Sequence, residues 1–287
     1  MGQPPARPGP PAARIPAGVL VGQGTVPVDA ATVLLLRDGA DGLEVAMLER
    51  HLESDFAGGA WVFPGGRVER SDGELDPALW TGVHDPTAAA GADDERQALA
   101  FLVATVRETF EEAGVLLAHH GDRGPLTRAD LASAGFVEAR RRLNDRDDAF
   151  DWHTWLVDQR LVLDLGALAL WSWWVTPDGL HKRFDTRFFN AHAPPEQVVA
   201  HDELEVTSSR WTTPRGALAA EAAGRVTIIY PTRKTLEQLA AYGSAGDAWA
   251  AAAQGRTDTR RLVPRIVEAP DGELLIAHPD GGPLERG

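Results

Sequence analysis

The sequence contains no cysteine among its 287 residues and has only two tyrosines and two methionines. The absence of cysteine excludes disulfide bonds, thiolate nucleophiles and thiolate metal ligands, so a bound metal must be held by oxygen or nitrogen. An excess of basic residues is also lacking, because 28 Lys and Arg stand against 42 Asp and Glu and give a formal net charge of −14. This charge disfavours binding to nucleic acid, and a polyanionic ligand would need local basic residues or a metal ion.

Long hydrophobic runs are missing as well, since every apolar cluster falls far short of the roughly 18 residues that a membrane-spanning helix needs. The N-terminal stretch 1–18, MGQPPARPGPPAARIPAG, is rich in Pro, Ala and Gly and lacks the apolar core of a signal peptide. We therefore expect a disordered N-terminal tail and a cytoplasmic protein without a membrane partner.

Alternating apolar runs and turn residues predict a mixture of strands and helices. Hairpins are predicted over 31–48, around a turn at 177–179 and around Asp271 and Gly272, and single strands in AWV and VTSSRW. The stretches TPRGALAAEAAG and TRKTLEQLAAYG predict two helices capped by threonine. Because the elements follow no strict βαβ repeat, we predict an α/β (α+β) fold with a mixed sheet and flanking helices.

The predicted domain organisation has one main domain with three additions. The main domain covers 19–245 and contains a Pro/Gly/Ala-rich loop insertion at 73–93 and a charged helical insertion at 118–165. A helix and a hairpin at 246–287 extend the domain at its C-terminus. The oligomeric state, monomer or homodimer, stays open.

A helix is predicted from Asp94, which forms a plausible N-terminal capping pair with Gln97, to Gly114, a natural left-handed stop. Apolar residues recur along it with spacings of four, three, four and three, which places them on one side of the helix; they are Leu99, Val103, Val106, Phe110 and Ala113. The glutamates Glu108, Glu111 and Glu112 fall on the other side, as i, i+3 and i+4 neighbours.

Two interpretations of the three glutamates stay open on the residue pattern alone. Charge clusters of this kind are often a solvated helix face. However, like charges at i and i+4 repel, and no lysine lies on that face to offset the repulsion. A hard divalent cation such as Mg²⁺ prefers clustered carboxylate oxygens, so a metal site is the alternative.

The stretch 107–115, RETFEEAGV, resembles the second half of the signature of Nudix hydrolases, Arg-Glu-U-x-Glu-Glu-x-Gly-U, where U is a bulky apolar residue and Thr109 replaces the first U. The stretch FPGGRVERSD resembles the first half of the same signature, with Gly66 as the opening glycine and Asp72 in place of the usual glutamate. Gly66 lies 41 residues before Arg107 instead of the family's 14, so about 27 residues are inserted. Extra loop length costs little entropy, which makes a split signature tolerable.

The interrupted signature also resembles one branch of the family, the peroxisomal coenzyme A diphosphatase-like proteins. The similarity includes the segments FAGGAWVFPGG, LWSWWVTPDGLHKRFDTRFFNA and EVTSSRWTTPRGAL. Other coenzyme A-cleaving relatives carry two arginines before FPGG; Arg50 and Gly59 fit that spacing here, but Asp55 replaces the second arginine. The resemblance implies an α/β/α sandwich and hydrolysis of a nucleoside diphosphate linked to another moiety, with coenzyme A or acyl-coenzyme A favoured.

The resemblance implies roles for individual residues. Glu108, Glu111 and Glu112 would hold Mg²⁺ or Mn²⁺, and Arg107 would orient Glu108. A further metal-binding carboxylate often precedes the later strand that ends in tryptophan, and Glu203 and Glu205 are the candidates, although either could be solvated loop charge.

The residues that would bind the substrate are glycines and cations. Gly65 and Gly66 would let the backbone approach the diphosphate, although a plain turn is the alternative for them. Arg50, Lys182 and Arg183 are candidates for contact with a 3'-phosphate. The alternation in HKRFDTRFF favours a surface strand face for Arg183, Asp185 and Arg187, with a phosphate-binding role for Lys182, Arg183 or Arg187 as the alternative.

Alternative functions also stay open. The same residues would serve a diphosphatase for NADH, ADP-ribose or a dinucleoside polyphosphate. A non-catalytic nucleotide sensor of the same fold is a different class, disfavoured because all three helix glutamates and Arg107 are present. An isoprenoid isomerase of this fold is disfavoured because the required cysteine is absent.

Overall fold

A nine-stranded mixed sheet forms the centre of a computed structural model that describes residues 25–51, 58–145, 147–200 and 206–287. The strands are β1 (Val28–Gly39), β2 (Gly42–Arg50), β3 (Ala60–Val62), β4 (Gly65–Arg67), β5 (Trp80–Thr81), β6 (Ala118–His120), β7 (Gly124–Pro125), β8 (Leu161–Asp164), β9 (Ala169–Val175), β10 (Phe184–His192), β11 (Val206–Thr212), β12 (Thr227–Ile228), β13 (Arg261–Leu262), β14 (Arg265–Glu268) and β15 (Leu274–Ala277). The helices are α1 (Pro86–Ala90), α2 (Glu95–Ala113), α3 (Arg128–Leu131), α4 (Ala134–Leu143), α5 (Trp152–Asp158), α6 (Pro214–Ala222), α7 (Tyr230–Leu239) and α8 (Ala245–Ala253). The predicted tail at 1–18 lies outside the described residues.

The strand order of the large sheet is β12-β3-β2-β1-β10-β9-β13, with β11 paired to β2 and β4 paired to β1. Strand β1 is parallel to β10 along its length, from Val28 opposite Phe184 to Leu36 opposite His192. Its other edge pairs antiparallel with β2 and with β4, where Ala31 faces Gly66. A smaller sheet has the order β5-β8-β6-β7, and β14 and β15 form a separate hairpin.

Helices cover both faces of the large sheet, which confirms the predicted α/β/α arrangement. On one face, alternate residues of β1 such as Val33 and Leu35 pack with the apolar side of α2. On the other face, Leu34 and Leu36 pack with residues of α6, α7 and α8. Burial on both faces explains why the central strand has the continuous apolar run TVLLL instead of an alternating pattern. Within the described ranges, every helix is too short or too polar to span a membrane.

The predicted hairpins are confirmed by the pairing of β1 with β2, β9 with β10 and β14 with β15. Thr213 caps α6 as predicted, through a bond from the Gly216 N–H to its hydroxyl. The predicted Thr232 cap of the next helix is wrong, because α7 begins at Tyr230 after Ile229 and Thr232 lies buried inside it. Pro231 in the first turn of α7 explains the earlier start, since proline suits the first turn of a helix.

The predicted surface face of β10 is wrong as well. Arg183, Asp185 and Arg187 are all buried, at 9%, 9% and 3% exposure. The reason is the position of β10 between β1 and β9 with α2 above it, which places the polar alternate residues under a helix instead of in solvent.

The segment 118–165 contains helices α3, α4 and α5 and also strands β6, β7 and β8, which the sequence pattern did not predict. The segment 73–93 contains β5, α1 and the 3-10 helix Pro77–Leu79. Both segments pack against the apolar cluster that surrounds α2.

Candidate functional site

The site is built at the C-terminal half of α2, whose limits agree with the sequence prediction. Asp94 caps the helix by accepting a 2.8 Å bond from the Gln97 N–H, and Gly114 ends it in the left-handed region at φ 67°. The Gln97 side chain does not return the bond to Asp94; it donates to Asp29 at 2.9 Å.

The three glutamates do not form a solvated face. Glu108 and Glu112 are 7% and 5% exposed, and the Glu111 side chain is 20% exposed. They are covered because β4 and the loop that follows it pack over this side of α2. Burial of adjacent carboxylates is costly unless cations or hydrogen-bond donors accompany them, which indicates a built site and contradicts the solvated alternative.

Arg107 is the central donor of the site. It is 4% exposed, and its Nε and Nη2 donate to the two oxygens of Asp72 at 2.9 and 3.0 Å. Its Nη1 donates to Glu108 at 2.9 Å and to Glu111 at 3.3 Å, while Nη2 also donates to the carbonyl of Arg67 at 2.9 Å. One guanidinium thus joins the loop after β4 to the glutamates of α2.

Asp72 is a site residue that the sequence prediction did not include. Its side chain is 1% exposed, and besides binding Arg107 it accepts a 2.8 Å bond from the Glu69 N–H, which fixes the loop. Its position in the split signature could have identified it, because Asp72 stands where the family usually has a glutamate, which is also a carboxylate.

The two predicted glycines lie directly against the glutamates. The Gly65 N–H donates to Glu112 Oε2 at 2.9 Å. A Cβ atom on Gly66 would overlap Glu108 Oε2, and one on Gly65 would overlap the Ala31 carbonyl oxygen. Backbone atoms therefore leave no room for a side chain at Gly65, and a side chain at Gly66 would have to displace the Glu108 carboxylate.

Burial raises the pKa of Glu108 above its ordinary value even though Arg107 beside it favours the charged form, and the charges of Asp72 and Glu69 raise it further. Burial also works against the charge of Arg107, but Glu108 and Asp72 together raise the pKa of this guanidinium well above its ordinary value. Arg107 thus shares its positive charge among the carboxylates of Asp72, Glu108 and Glu111.

The donor chemistry of the site suits a hard divalent cation, because carboxylate oxygens are the side-chain ligands at hand and Gly66 leaves no side chain in front of Glu108. The carboxylates do not yet converge: in the described part of the chain, no three acidic or histidine side chains are grouped closely enough to hold a metal ion. Glu112 is bonded to Gly65 and Glu111 to Arg107 in the arrangement seen.

Of the three predicted substrate-binding cations, Arg183 makes bonds that the structure shows. Arg183 donates to the carbonyls of Thr176 and Thr25 at 3.0 and 2.7 Å and pairs with Asp178 at 2.6 Å. These bonds give Arg183 a role in holding the start of β10, which is a simpler account of it than contact with a phosphate. Lys182, next to it, is half-buried.

Arg50 is half-buried at the end of β2, where its backbone pairs with Val206 and its carbonyl accepts a 3.1 Å bond from the Gly59 N–H. Glu203 and Glu205 lie outside the described residues, as does Asp55. The chain enters that gap from Ala200, whose N–H donates to the carbonyl of Ala113 at 2.9 Å, beside the end of α2.

A second arginine at the site was also missed. Arg140 on α4 donates from Nε to the Glu111 carbonyl and from Nη2 to the Glu112 carbonyl, both at 2.9 Å. Asn144, one turn later, donates to the Glu111 carbonyl at 3.1 Å. No local sequence pattern predicts these contacts, because they join residues that are at least 28 positions apart in the chain.

Comparison with known proteins gives one match to a family model and several relatives. The model described as the NUDT19 Nudix domain matches residues 91–235, half of the chain. The chain is similar to the human acyl-coenzyme A diphosphatase NUDT19, with 28% identity over 84% of this chain and 72% of the relative. It is similar to the Gallus gallus protein of the same name, with 29% identity over 81% of this chain and 71% of the relative.

Among solved structures, the crystal structure of a Nudix hydrolase from Alicyclobacillus acidocaldarius is similar to this chain. The TM-score is 0.67 and the identity 29%, and the match covers 79% of this chain and 96% of that one. Because the match covers 79% of this chain, it extends well beyond the segment that carries the split signature.

Proposed function

We propose that the substrate of this protein is coenzyme A or acyl-coenzyme A. The chain belongs to the Nudix hydrolase family, as its match to the NUDT19 Nudix domain shows, and it is a Nudix diphosphatase. The products would be 4'-phosphopantetheine, or its acyl form, and adenosine 3',5'-bisphosphate. The proposed cofactor is Mg²⁺ or Mn²⁺, held by Glu108, Glu111 and Glu112.

One observation carries the proposal: the two halves of the split signature meet in space. Gly65 binds Glu112 and Gly66 lies against Glu108, although 41 residues separate Gly66 from Arg107 in the sequence. Two hydrogen bonds from Arg107 on α2 to Asp72 in the loop after β4 stabilise the same contact. The long insertion therefore leaves intact the contact between glycine loop and glutamate helix that diphosphate chemistry needs.

The chemistry consists of attack by a water oxygen on one phosphorus and breakage of a bridging P–O bond, which leaves one phosphate on each product. A bound divalent cation supplies charge neutralisation at the diphosphate and activation of the water. The protein supplies the carboxylates, and one of the three glutamates or a later carboxylate takes the proton of the water. Glu203 and Glu205 remain proposed as that later carboxylate or as metal ligands.

The glycines and Arg107 would act by positioning. The backbone at Gly65 and Gly66 lies close to the carboxylates, so a diphosphate could approach without meeting a side chain. Arg107 would hold Glu108 in place, and because Glu111 and Glu112 are bonded elsewhere here, binding a metal would involve their reorientation. Arg50, Lys182 and Arg183 remain proposed contacts for the 3'-phosphate.

The substrate is supported by the names of the relatives, since both curated proteins described above are acyl-coenzyme A diphosphatases. The test is a panel of coenzyme A, acyl-coenzyme A, dephospho-coenzyme A, NADH, ADP-ribose and a diadenosine polyphosphate, with Mg²⁺ or Mn²⁺ and products separated by chromatography. We expect coenzyme A and its esters to be cleaved fastest. Preference for NADH or ADP-ribose would refute the substrate and keep the diphosphatase, whereas binding without cleavage would indicate a sensor.

The glutamates are tested by Glu112→Gln, with Glu95→Gln on an exposed turn of the same helix as the matched control. The amide oxygen of glutamine still accepts the Gly65 bond, so folding should be kept, and loss of a repulsive charge should leave stability unchanged or raised without metal. We expect kcat to fall by about 100-fold or more, a loss typical for a group that stabilises developing charge. A folded Glu112→Gln enzyme with normal kcat would remove the metal-binding role.

A further inference from the structure

The C-terminal end of α2 accepts hydrogen bonds from a side chain outside the helix. The last carbonyls of a helix lack partners within it, and those of Glu111 and Glu112 belong to this group. Arg140 on α4 donates one bond to each of them at 2.9 Å and a third, from Nη2, to the Ala200 carbonyl at 2.6 Å. One guanidinium thus holds the backbone of both glutamates.

The fit of Arg140 against the helix end depends on Gly114. A Cβ atom on this residue would lie 2.8 Å from Arg140 Nη1, so the glycine that ends α2 also makes room for the guanidinium. Asn144, one turn further along α4, donates to the Glu111 carbonyl at 3.1 Å and to the Arg140 carbonyl at 3.0 Å. Residues of both helices, Gly114 on α2 and Asn144 on α4, therefore contribute to the contact between Arg140 and the end of α2.

The charge of Arg140 also lies close to negative charge at the end of α2. The C-terminal end of a helix carries partial negative charge, and Glu111 and Glu112 add two carboxylates in the same turn. The guanidinium of Arg140, bonded to the two carbonyls, lies where its charge offsets both.

We infer that Arg140 is a positioning residue of the diphosphatase reaction: it fixes the backbone of Glu111 and Glu112 so that their carboxylates meet the metal in the right place. The inference rests on the proposed metal-binding role of these two glutamates. A displacement of about 1 Å at a reacting group costs roughly 100-fold in rate, so loss of this support should be visible in turnover.

The test compares Arg140→Met with Arg141→Met, the neighbouring arginine, which pairs with Glu138 at 2.9 Å on the exposed side of α4. For each variant, Mn²⁺ affinity is measured by calorimetry without substrate, kcat and KM are measured on coenzyme A, and stability is measured by urea unfolding. We expect Arg140→Met to weaken Mn²⁺ binding about 10-fold and to lower kcat by roughly 10- to 100-fold with little change in KM. Arg141→Met should match the wild type.

Arg140→Lys and Trp155→Phe separate positioning from stability. Lysine keeps the charge but not the planar fork, so Arg140→Lys should recover part of the Mn²⁺ affinity and of kcat. Trp155→Phe loosens the packing of α5 on α2 without touching the carbonyls, and folded Trp155→Phe should keep normal Mn²⁺ affinity.

Two results would overturn the inference. The first is normal Mn²⁺ affinity and kcat in folded Arg140→Met, and the second is an equal loss of Mn²⁺ affinity in Trp155→Phe at equal stability. If the wild type neither binds Mn²⁺ nor cleaves any compound of the panel, the proposed function itself fails, and that outcome is distinct from both.

Discussion

Both insertions pack on α2, and at each of the two contacts an arginine caps the carbonyls at the end of a helix. At the C-terminal end, Arg140 from the segment 118–165 caps the carbonyls of Glu111 and Glu112. Near the N-terminal end, α1 of the segment 73–93 packs on α2, and Arg187 from β10 caps the carbonyls of Ala90 and Gly91 at 2.8 and 3.2 Å.

The two arginines differ in the function of the residues whose carbonyls they cap. Those under Arg140 belong to proposed metal ligands, whereas those under Arg187 belong to an alanine and a glycine in an insertion. Arg187 is 3% exposed and lies over the rings of Phe101 and Trp173 at 3.8 and 4.1 Å, and burial lowers its pKa below the ordinary value. Capping by Arg140 at the end of α2 should therefore affect the chemistry of the site, whereas capping by Arg187 at the end of α1 should affect stability alone.

The largest expected effect comes from the aromatic cluster at the C-terminal end. Trp155 of α5 stacks on Phe110 of α2 at 5.8 Å and contacts Trp152 and Phe136 at 5.2 and 5.1 Å. Trp155→Ala should lower the free energy of unfolding by about 3–5 kcal/mol, because it leaves a cavity in a packed core. Urea unfolding measures it, and a loss below about 1 kcal/mol would mean that this insertion is not part of the cooperative core.

A smaller effect is expected where the other insertion meets the loop after β8. Gly82 has φ +86°, and a Cβ atom there would lie 2.7 Å from the Cα atom of Gly166. Gly255 is the control, since its φ is +65° and a Cβ atom there would meet no other atom within 4 Å. Gly255→Ala should cost roughly 1–2 kcal/mol for its backbone conformation alone. Gly82→Ala should cost about 1–3 kcal/mol more for overpacking, and equal losses in thermal or urea unfolding would disprove the close approach.

Arg187→Met tests the comparison directly. The change leaves the carbonyls of Ala90 and Gly91 without their buried donor, so the free energy of unfolding should fall by roughly 1–3 kcal/mol. In contrast to Arg140→Met, kcat and Mn²⁺ affinity of the folded variant should equal those of the wild type. A selective fall in kcat would show that the 73–93 segment also acts on the site.

The smallest effect concerns pH. Asp85 caps α1, and hydrogen bonds from the Thr87 hydroxyl and the Ala88 N–H lower its pKa below the ordinary value. A lowered pKa in the folded state contributes stability that is present above the unfolded value of about 3.9 and is lost as pH falls through the lower folded value. Asp85→Asn keeps an acceptor for the cap, so its stability should match the wild type at about pH 7 and depend slightly less on pH below about 4. Urea midpoints at about pH 7 and about pH 3 provide the check, and identical pH dependence would contradict it.

Much of the fold follows from local patterns in the sequence. The limits of α2 were predictable because Asp94 and Gly114 are local signals for its ends, and the hairpins because turn residues separate apolar runs. The start of α7 was not predictable from Thr232, since Pro231 and burial outweighed the cap signal. The short strands β6, β7 and β8 carry too few residues to show a periodicity and exist through pairing with one another.

The candidate residues of the site could be named before the fold was known: three glutamates on one helix, from their spacing, and an arginine and a pair of glycines, from the resemblance to the family signature. These are properties of residue type and helical period, which act over a few positions. Only the tertiary structure decided that Glu108 and Glu112 are buried, that Asp72 binds Arg107 and that Arg140 reaches the end of α2. Such contacts join residues tens of positions apart and depend on how the insertions pack, and no local pattern encodes that packing.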